Sequence, residues 1–239
     1  MTEITASLVR KQPVLVAPAL PRSVCPTRAR LDATADHRFA DLLGPDAWAR
    51  LPLIVQRRFS RKPTPGASRV FVGTVVETRL SALGRMLAQV ARLVGGPLPF
   101  VDRATGPASV VVTESAGLGG QVWTRTYSRP GHFPQTINSV KRFAGPTGIE
   151  EYLGLGLVMR LRLTAEDGAL VFRSAGYAVR LGRHQLALPA WASPGVCTVI
   201  HTSLGPERFS FTLALDHPLA GRLVFQVAEF VETFMELRQ

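Results

Sequence analysis

Trp123, Arg125 and Tyr127 alternate along a short stretch of β-favouring residues. Successive side chains of an extended strand point to opposite faces, so these three share one face. Arg142, Arg160, Arg162 and Arg173 fall in neighbouring stretches of the same character. Aromatic rings beside guanidinium groups on one concave face suit an amphiphile with an acidic head, because arginine offers carboxylate or phosphate a planar fork of donors. These seven residues, together with Glu150, form the candidate ligand-binding set. The commoner fate of such strands is a solvated outer face with Trp and Tyr packed under arginine stems. The pattern is compatible with both.

The remaining reactive side chains yield no catalytic candidate. Glu150 and Glu151 are adjacent. On a strand they point to opposite faces, so at most one faces inward, where it needs an arginine partner or takes a raised pKa. There is no Gly-x-Ser-x-Gly nucleophile turn and no His-Glu-x-x-His zinc helix. The five histidines (His37, His132, His184, His201, His217) are scattered. Cys197 and His201 share a strand face, but zinc requires three or four ligands. No metal and no cofactor is expected. Gly154-Leu-Gly156 and Gly117-Leu-Gly-Gly120 lack the strand-to-helix setting of a phosphate cradle. The first is expected to bend a strand and the second to fill a turn.

The elements that would position these residues are mostly strands. Residues 39–48 read as a short helix stopped at Gly44-Pro45. Asp46 then caps a second helix on which Trp48, Leu51, Val55 and Phe59 recur, with Pro52 in its first turn. Residues 70–78 are β-branched and predict a strand. Leu80, Leu83, Leu87, Val90 and Val94 then mark an amphipathic helix ended by Gly95-Gly96-Pro97. Strands are expected over 109–114, 121–127, 135–143, 151–163, 170–177, 196–203, 208–215 and 222–229, with a short helical or frayed end. Asp167-Gly168 is a strong hairpin signal, since both turn positions need positive φ. Leu157, Met159, Leu161 and Leu163 share one face, opposite Arg160 and Arg162. Eight or nine hairpin-joined strands must curl, split or close. The expected fold is α+β and mostly antiparallel β. It is a strongly curved sheet or open β-barrel, with the amphipathic helix and short N-terminal helices packed on it.

Bulk properties narrow the setting. The net charge is +11, carried almost wholly by arginine; lysine occurs only at Lys11, Lys62 and Lys141. Residues 1–70 hold 12 Lys/Arg against 5 Asp/Glu, and residues 71–239 hold 16 against 12. The excess is therefore concentrated in the tail and first helices; the Pro/Arg-rich residues 1–34 read as a flexible basic tail before one β-rich domain at 35–239. No dense basic stripe with stacking aromatics is present, so specific nucleic-acid binding is not expected. The two cysteines, Cys25 and Cys197, suit a reducing, cytoplasmic setting. No apolar run approaches the ~20 residues of a membrane span. Pro13, Pro18 and Pro21 break up the one stretch resembling an export signal.

A set of spaced residues runs through the chain. Leu43-Gly-Pro-Asp-Ala-Trp48, Leu51-Pro52 and Val55-Gln-Arg-Arg-Phe59 precede the amphipathic helix ending at Gly95. Trp123-Thr-Arg125, Phe133, Gly168, Leu188-Pro189, Arg208-Phe-Ser-Phe211 and Pro218-Leu-Ala-Gly221 follow. Over residues 39–230 this order resembles the bacterial family called domain of unknown function 4166. The resemblance implies one domain after the tail, no assigned activity and no catalytic residue. Members of that family are sometimes found beside a nucleotide-binding oxidoreductase domain, which is not visible in this sequence.

Strand number, two-faced alternation and the missing catalytic motifs together point to a binding or accessory domain. It would hold a hydrophobic or acidic amphipathic small molecule in a curved β cavity. Two alternatives stand beside it. One is an enzyme of unrecognised type using the same cavity. The other is an interaction module whose basic tail docks on an acidic partner or membrane surface.

Overall fold

The computed structural model describes residues 34–238, apart from 65, 130 and 183. Eleven strands make one antiparallel sheet: β1 (Ala67–Leu80), β2 (Gly106–Ser115), β3 (Gly120–Tyr127), β4 (Gln135–Arg142), β5 (Glu150–Gly154), β6 (Leu157–Glu166), β7 (Ala169–Leu181), β8 (His184–Ala187), β9 (Val196–Ser203), β10 (Arg208–His217) and β11 (Gly221–Arg238). Neighbours in sequence are neighbours in space from β1 to β7. Strand β7 then pairs with β9, and β9, β10 and β11 return to β1. The ring closes as a ten-stranded up-and-down barrel, with β8 an extra ribbon on β7. Closure removes the exposed edges that an open sheet carries.

The closing seam is the longest pairing. Strand β11 pairs with β1 from Val224↔Leu80 to Arg238↔Ala67, with register shifts between Val75 and Glu77 and between Arg69 and Val70. The chain end, expected as helical or frayed, is instead strand, because β1 supplies it with ladder partners as far as Arg238. The Asp167-Gly168 turn has the expected positive φ at both positions, 48° and 74°. Gly154-Leu155-Gly156 does more than bend a strand. All three residues have positive φ, and they turn the expected single strand 151–163 into the β5–β6 hairpin.

Three short helices, α1 (Arg38–Leu43), α2 (Pro45–Ala49) and α3 (Leu53–Phe59), close one end of the barrel. A single helix from Asp46 through Phe59 was expected. The chain breaks it at Pro52, which precedes α3, because proline lacks an N–H and disfavours helical backbone just before it. Asp46 does not cap; Gly44 holds that position for α2. Phe39 fills the plug with its ring edge-on to Phe59 (5.2 Å) and Phe143 (5.0 Å). Arg38 ties the plug to the barrel through Glu114 on β2 at 2.8 Å. Among the described residues, no helix is long and apolar enough to cross a membrane.

The opposite end is covered by α4 (Ala82–Ala91) and a following 3₁₀ turn, Arg92–Val94. Ser81 caps α4 by accepting from the Gly84 N–H at 3.0 Å. The face against the barrel is Gly84, Ala88 and Ala91, not the large apolar stripe. A Cβ at Gly84 would lie 1.9 Å from the Leu223 carbonyl oxygen, so only glycine lets the helix sit directly on the β11 backbone. Leu83, Met86 and Val90 are left largely exposed at the rim.

Beneath the plug, Arg58 lies 4.2 Å over the Phe209 ring and 3.3 Å from Glu232, and donates to His201 Nε2 at 3.1 Å. His201 is fully buried among Phe59, Phe209 and Phe211. Burial, and then the Arg58 charge, lower its pKa to about 3. The folded chain therefore keeps His201 neutral, while the unfolded chain takes up a proton below the ordinary value of 6.5. Stability is then lost as pH falls from about 6.5 towards 3, by up to about 1.4 kcal/mol per pH unit for one such group. Urea denaturation between pH 7 and 4.5 should show this slope in the wild type and a shallower one in His201→Gln. Equal slopes would contradict the assignment.

Candidate functional site

A cavity of about 590 Å³ occupies the barrel between the plug and α4. One wall is apolar: Val199, Phe211, Leu213, Leu223 and Ala228 come from β9, β10 and β11. The lid is apolar too, formed by Met86, Leu87 and Val90 of α4, the 97–99 loop and Trp191. Strands β4 and β5 pair over only three positions, Val140↔Tyr152, Lys141↔Glu151 and Arg142↔Glu150. The segment after α4 spans the seam above them: Gln135 donates to the Leu98 carbonyl at 2.8 Å, and Gly95 lies against the Leu153 carbonyl.

The polar side of the cavity is built by alternation on three adjacent strands. Trp123, Arg125 and Tyr127 point inward from β3, Ile137, Ser139 and Lys141 from β4, and Glu151 and Leu153 from β5. Glu151 is the hub. It accepts from Ser139 Oγ at 2.5 Å, Arg125 Nη2 at 3.0 Å and Lys141 Nζ at 3.1 Å. Arg125 also donates to Ser139 Oγ at 3.1 Å. Lys141 Nζ sits 4.6 Å from the Trp123 ring centre and 5.5 Å from that of Phe172. Burial opposes ionisation of Glu151, but Lys141, Arg125 and the Ser139 hydrogen bond outweigh it and hold its pKa at about 2. The same burial lowers the Lys141 pKa, and the adjoining Glu151 carboxylate opposes that shift without cancelling it. We read the pair as charged on its geometry, the Nζ–carboxylate contact of 3.1 Å. Among the described Asp, Glu, Lys and Arg side chains of the lining, Arg125 and Lys141 face a single carboxylate, leaving one positive charge unmatched.

Cys197 lies on the same cavity wall. Burial, with Glu151 next, pushes its thiol up to about 12, so it is a protonated thiol and a poor nucleophile at neutral pH. Burial also raises Tyr127 and Tyr177. A carboxylate held near pKa 2 by three donors is a weak proton acceptor.

The expected residues separate into two groups. Trp123, Arg125 and Tyr127 line the cavity together. Arg142 pairs with Glu150, which is buried away from the cavity and also accepts from Gln185 at 3.1 Å. Arg160 stands opposite Glu150 in the β5–β6 register. Arg162 and Arg173 face each other across β6 and β7 on the exposed side, where Arg173 pairs with Glu166 at 3.2 Å. Sequence reasoning missed Ser139 and Lys141, and of the two adjacent glutamates it put Glu150, not Glu151, in the candidate set. A signal existed for the first two: Ile137, Ser139 and Lys141 alternate just as Trp123, Arg125 and Tyr127 do, and lysine is rare in this chain.

The fold and site together define a hollow antiparallel β-barrel with a charged cluster set into a mostly apolar cavity. The chain belongs to the family described as "Domain of unknown function (DUF4166)", whose model matches residues 51–230. Comparison with curated proteins gave no match. Comparison with solved structures gave none either.

The cluster sets an order of mutational costs. Glu151→Gln leaves Arg125 and Lys141 buried without their counter-charge and should cost about 3–5 kcal/mol. Lys141→Met leaves Glu151 paired with Arg125 and Ser139 and should cost clearly less. Urea denaturation at pH 7 measures both, and the reverse order would contradict the hub role of Glu151.

Proposed function

We propose that the barrel binds an amphipathic small molecule with an acidic head group. The head would sit at Arg125 and Tyr127, and the tail would lie against the β9–β11 wall and under α4. One observation carries the reading: a cavity of about 590 Å³, apolar over most of its lining, whose charged patch has a surplus positive charge. That volume lies within the ~300–1,000 Å³ range of small-molecule sites. Arg125 is the accessible member of the cluster, its side chain 22% exposed against 7% for Lys141 and Glu151. A guanidinium fork takes a second carboxylate or phosphate without leaving Glu151 unpaired, since Lys141 and Ser139 still hold it. Binding is favoured over catalysis because the cavity's carboxylate and thiol both have pKa values far from neutrality. The basic tail proposed as a docking arm lies, but for Thr34, outside the described residues.

The test uses dodecanoic acid, its methyl ester and dodecyltrimethylammonium as probes, read by native mass spectrometry and calorimetry. Dodecanoate should bind saturably and at least about tenfold tighter than the ester, a difference of about 1.4 kcal/mol. Arg125→Met should remove that preference while leaving ester binding within about twofold. Saturable binding by none of the three, or a preference for the cation, would overturn the reading.

A further inference from the structure

Because the strands alternate in direction, five connections lie at the α4 end of the barrel: β1–α4–β2, β3–β4, β5–β6, β7–β8–β9 and β10–β11. Each presents a large apolar side chain to solvent. Leu93 follows α4, Phe133 precedes β4, Leu155 is the β5–β6 turn, Trp191 precedes β9 and Leu219 is in the β10–β11 turn. Their exposures run from 75% to 92%; at the plugged end, among the described residues, the barrel connections present Leu118 and Leu204, both near half-exposed, and the plug presents one such side chain, Leu53 of α3. Scattered exposed apolar residues are ordinary; a ring of them on separate loops around one aperture is not. Trp191 belongs both to this ring and to the cavity lining, so the ring surrounds the cavity's opening.

The charge on these connections is one-sided. Among the described residues they and the adjoining strand ends carry Arg79, Arg85, Arg92, Arg103, Arg129, Arg180 and Arg222 against Glu77, Asp102 and Asp216, with Arg79 paired to Glu77. Asp102 is shared between Arg85 (3.5 Å) and Arg103 (3.9 Å), and Asp216 pairs with Arg222 at 2.8 Å. Arg92 and Arg129 converge on the ring of Phe100, 5.0 and 4.8 Å from its centre; Arg92 donates to Gln89 at 2.9 Å, and neither pairs with a carboxylate among the described residues. Apolar tips projecting beyond a layer of guanidinium groups match an anionic bilayer: the tips enter the acyl boundary while the arginines meet headgroup phosphates. Each basic residue near such a surface contributes about 1 kcal/mol, and the attraction is screened by salt.

We infer that the α4 end of the barrel docks on an anionic lipid bilayer, with Phe133, Trp191 and Leu219 inserted and the cavity mouth facing the membrane. The inference goes beyond the ligand reading and does not depend on it, since docking is measured without any ligand in the cavity.

The experiment is sedimentation of the full chain with vesicles of phosphatidylcholine and phosphatidylglycerol at 3:1, and with phosphatidylcholine alone. The wild type should partition onto the anionic vesicles at least about tenfold more strongly, and less so as salt rises. The triple variant Phe133→Ser/Trp191→Ser/Leu219→Ser retains the whole N-terminal tail and should lose about tenfold of that partition. Wild-type tryptophan fluorescence should be quenched by acyl-brominated lipid, and Trp191→Ser should abolish the quenching. Equal partition of wild type and triple variant would assign binding to the tail and overturn the proposal. So would a lipid-free dimer that the triple variant loses, which would give this face to a second copy of the chain. Absence of wild-type partition onto anionic vesicles would overturn it outright.

Discussion

The pairing of the first strand with the last determines what the rest of the molecule can be. Once β11 is laddered along β1, the ten strands form a closed ring, and a ring of that size is wider than its own side chains can fill. Eight strands give an interior that side chains just occupy; ten leave space. The chain deals with that space differently at its two ends. Phenylalanines from α1, α3, β7 and β10 fill the plugged end. At the other end α4 lies on the backbone through Gly84, so its large side chains stay at the rim rather than in the interior.

The hollow half contains a costly feature. Lys141, Glu151 and Arg125 would each incur several kcal/mol of desolvation if buried alone. Mutual pairing, the Ser139 hydroxyl and the Trp123 face reduce that cost without adding a counter-charge for the second cation. An apolar substitution set would pack such a wall more simply. A charged cluster retained inside an apolar cavity is the pattern of a site that fixes the orientation of a polar head.

Alternation made a large part of this legible from sequence. The shared face of Trp123, Arg125 and Tyr127 followed from period two, as did the inward row Leu157, Met159, Leu161 and Leu163. The antiparallel hairpin at Asp167-Gly168 followed from turn chemistry. Other features needed tertiary structure. Arg142, Arg160, Arg162 and Arg173 share strands with cavity residues, but a one-residue step in register sends a side chain to the opposite face. Leu155 in a positive-φ turn was not foreseeable from a Gly-Leu-Gly run that a bent strand also tolerates, and that turn is what gives Glu151 its own short strand. Closure itself rests on β1 and β11, separated by the whole length of the domain, which no local pattern reports.

The central claim is that the barrel interior is a hollow, head-group-selective site rather than a packed core. A crystal structure grown with dodecanoic acid tests it most directly. The account predicts density for an extended chain along β9–β11 and under α4, with its carboxylate within hydrogen-bond distance of Arg125 or Tyr127. An interior filled by inward-collapsed side chains of α4 and the 97–99 loop, with no space beside Arg125, would contradict it.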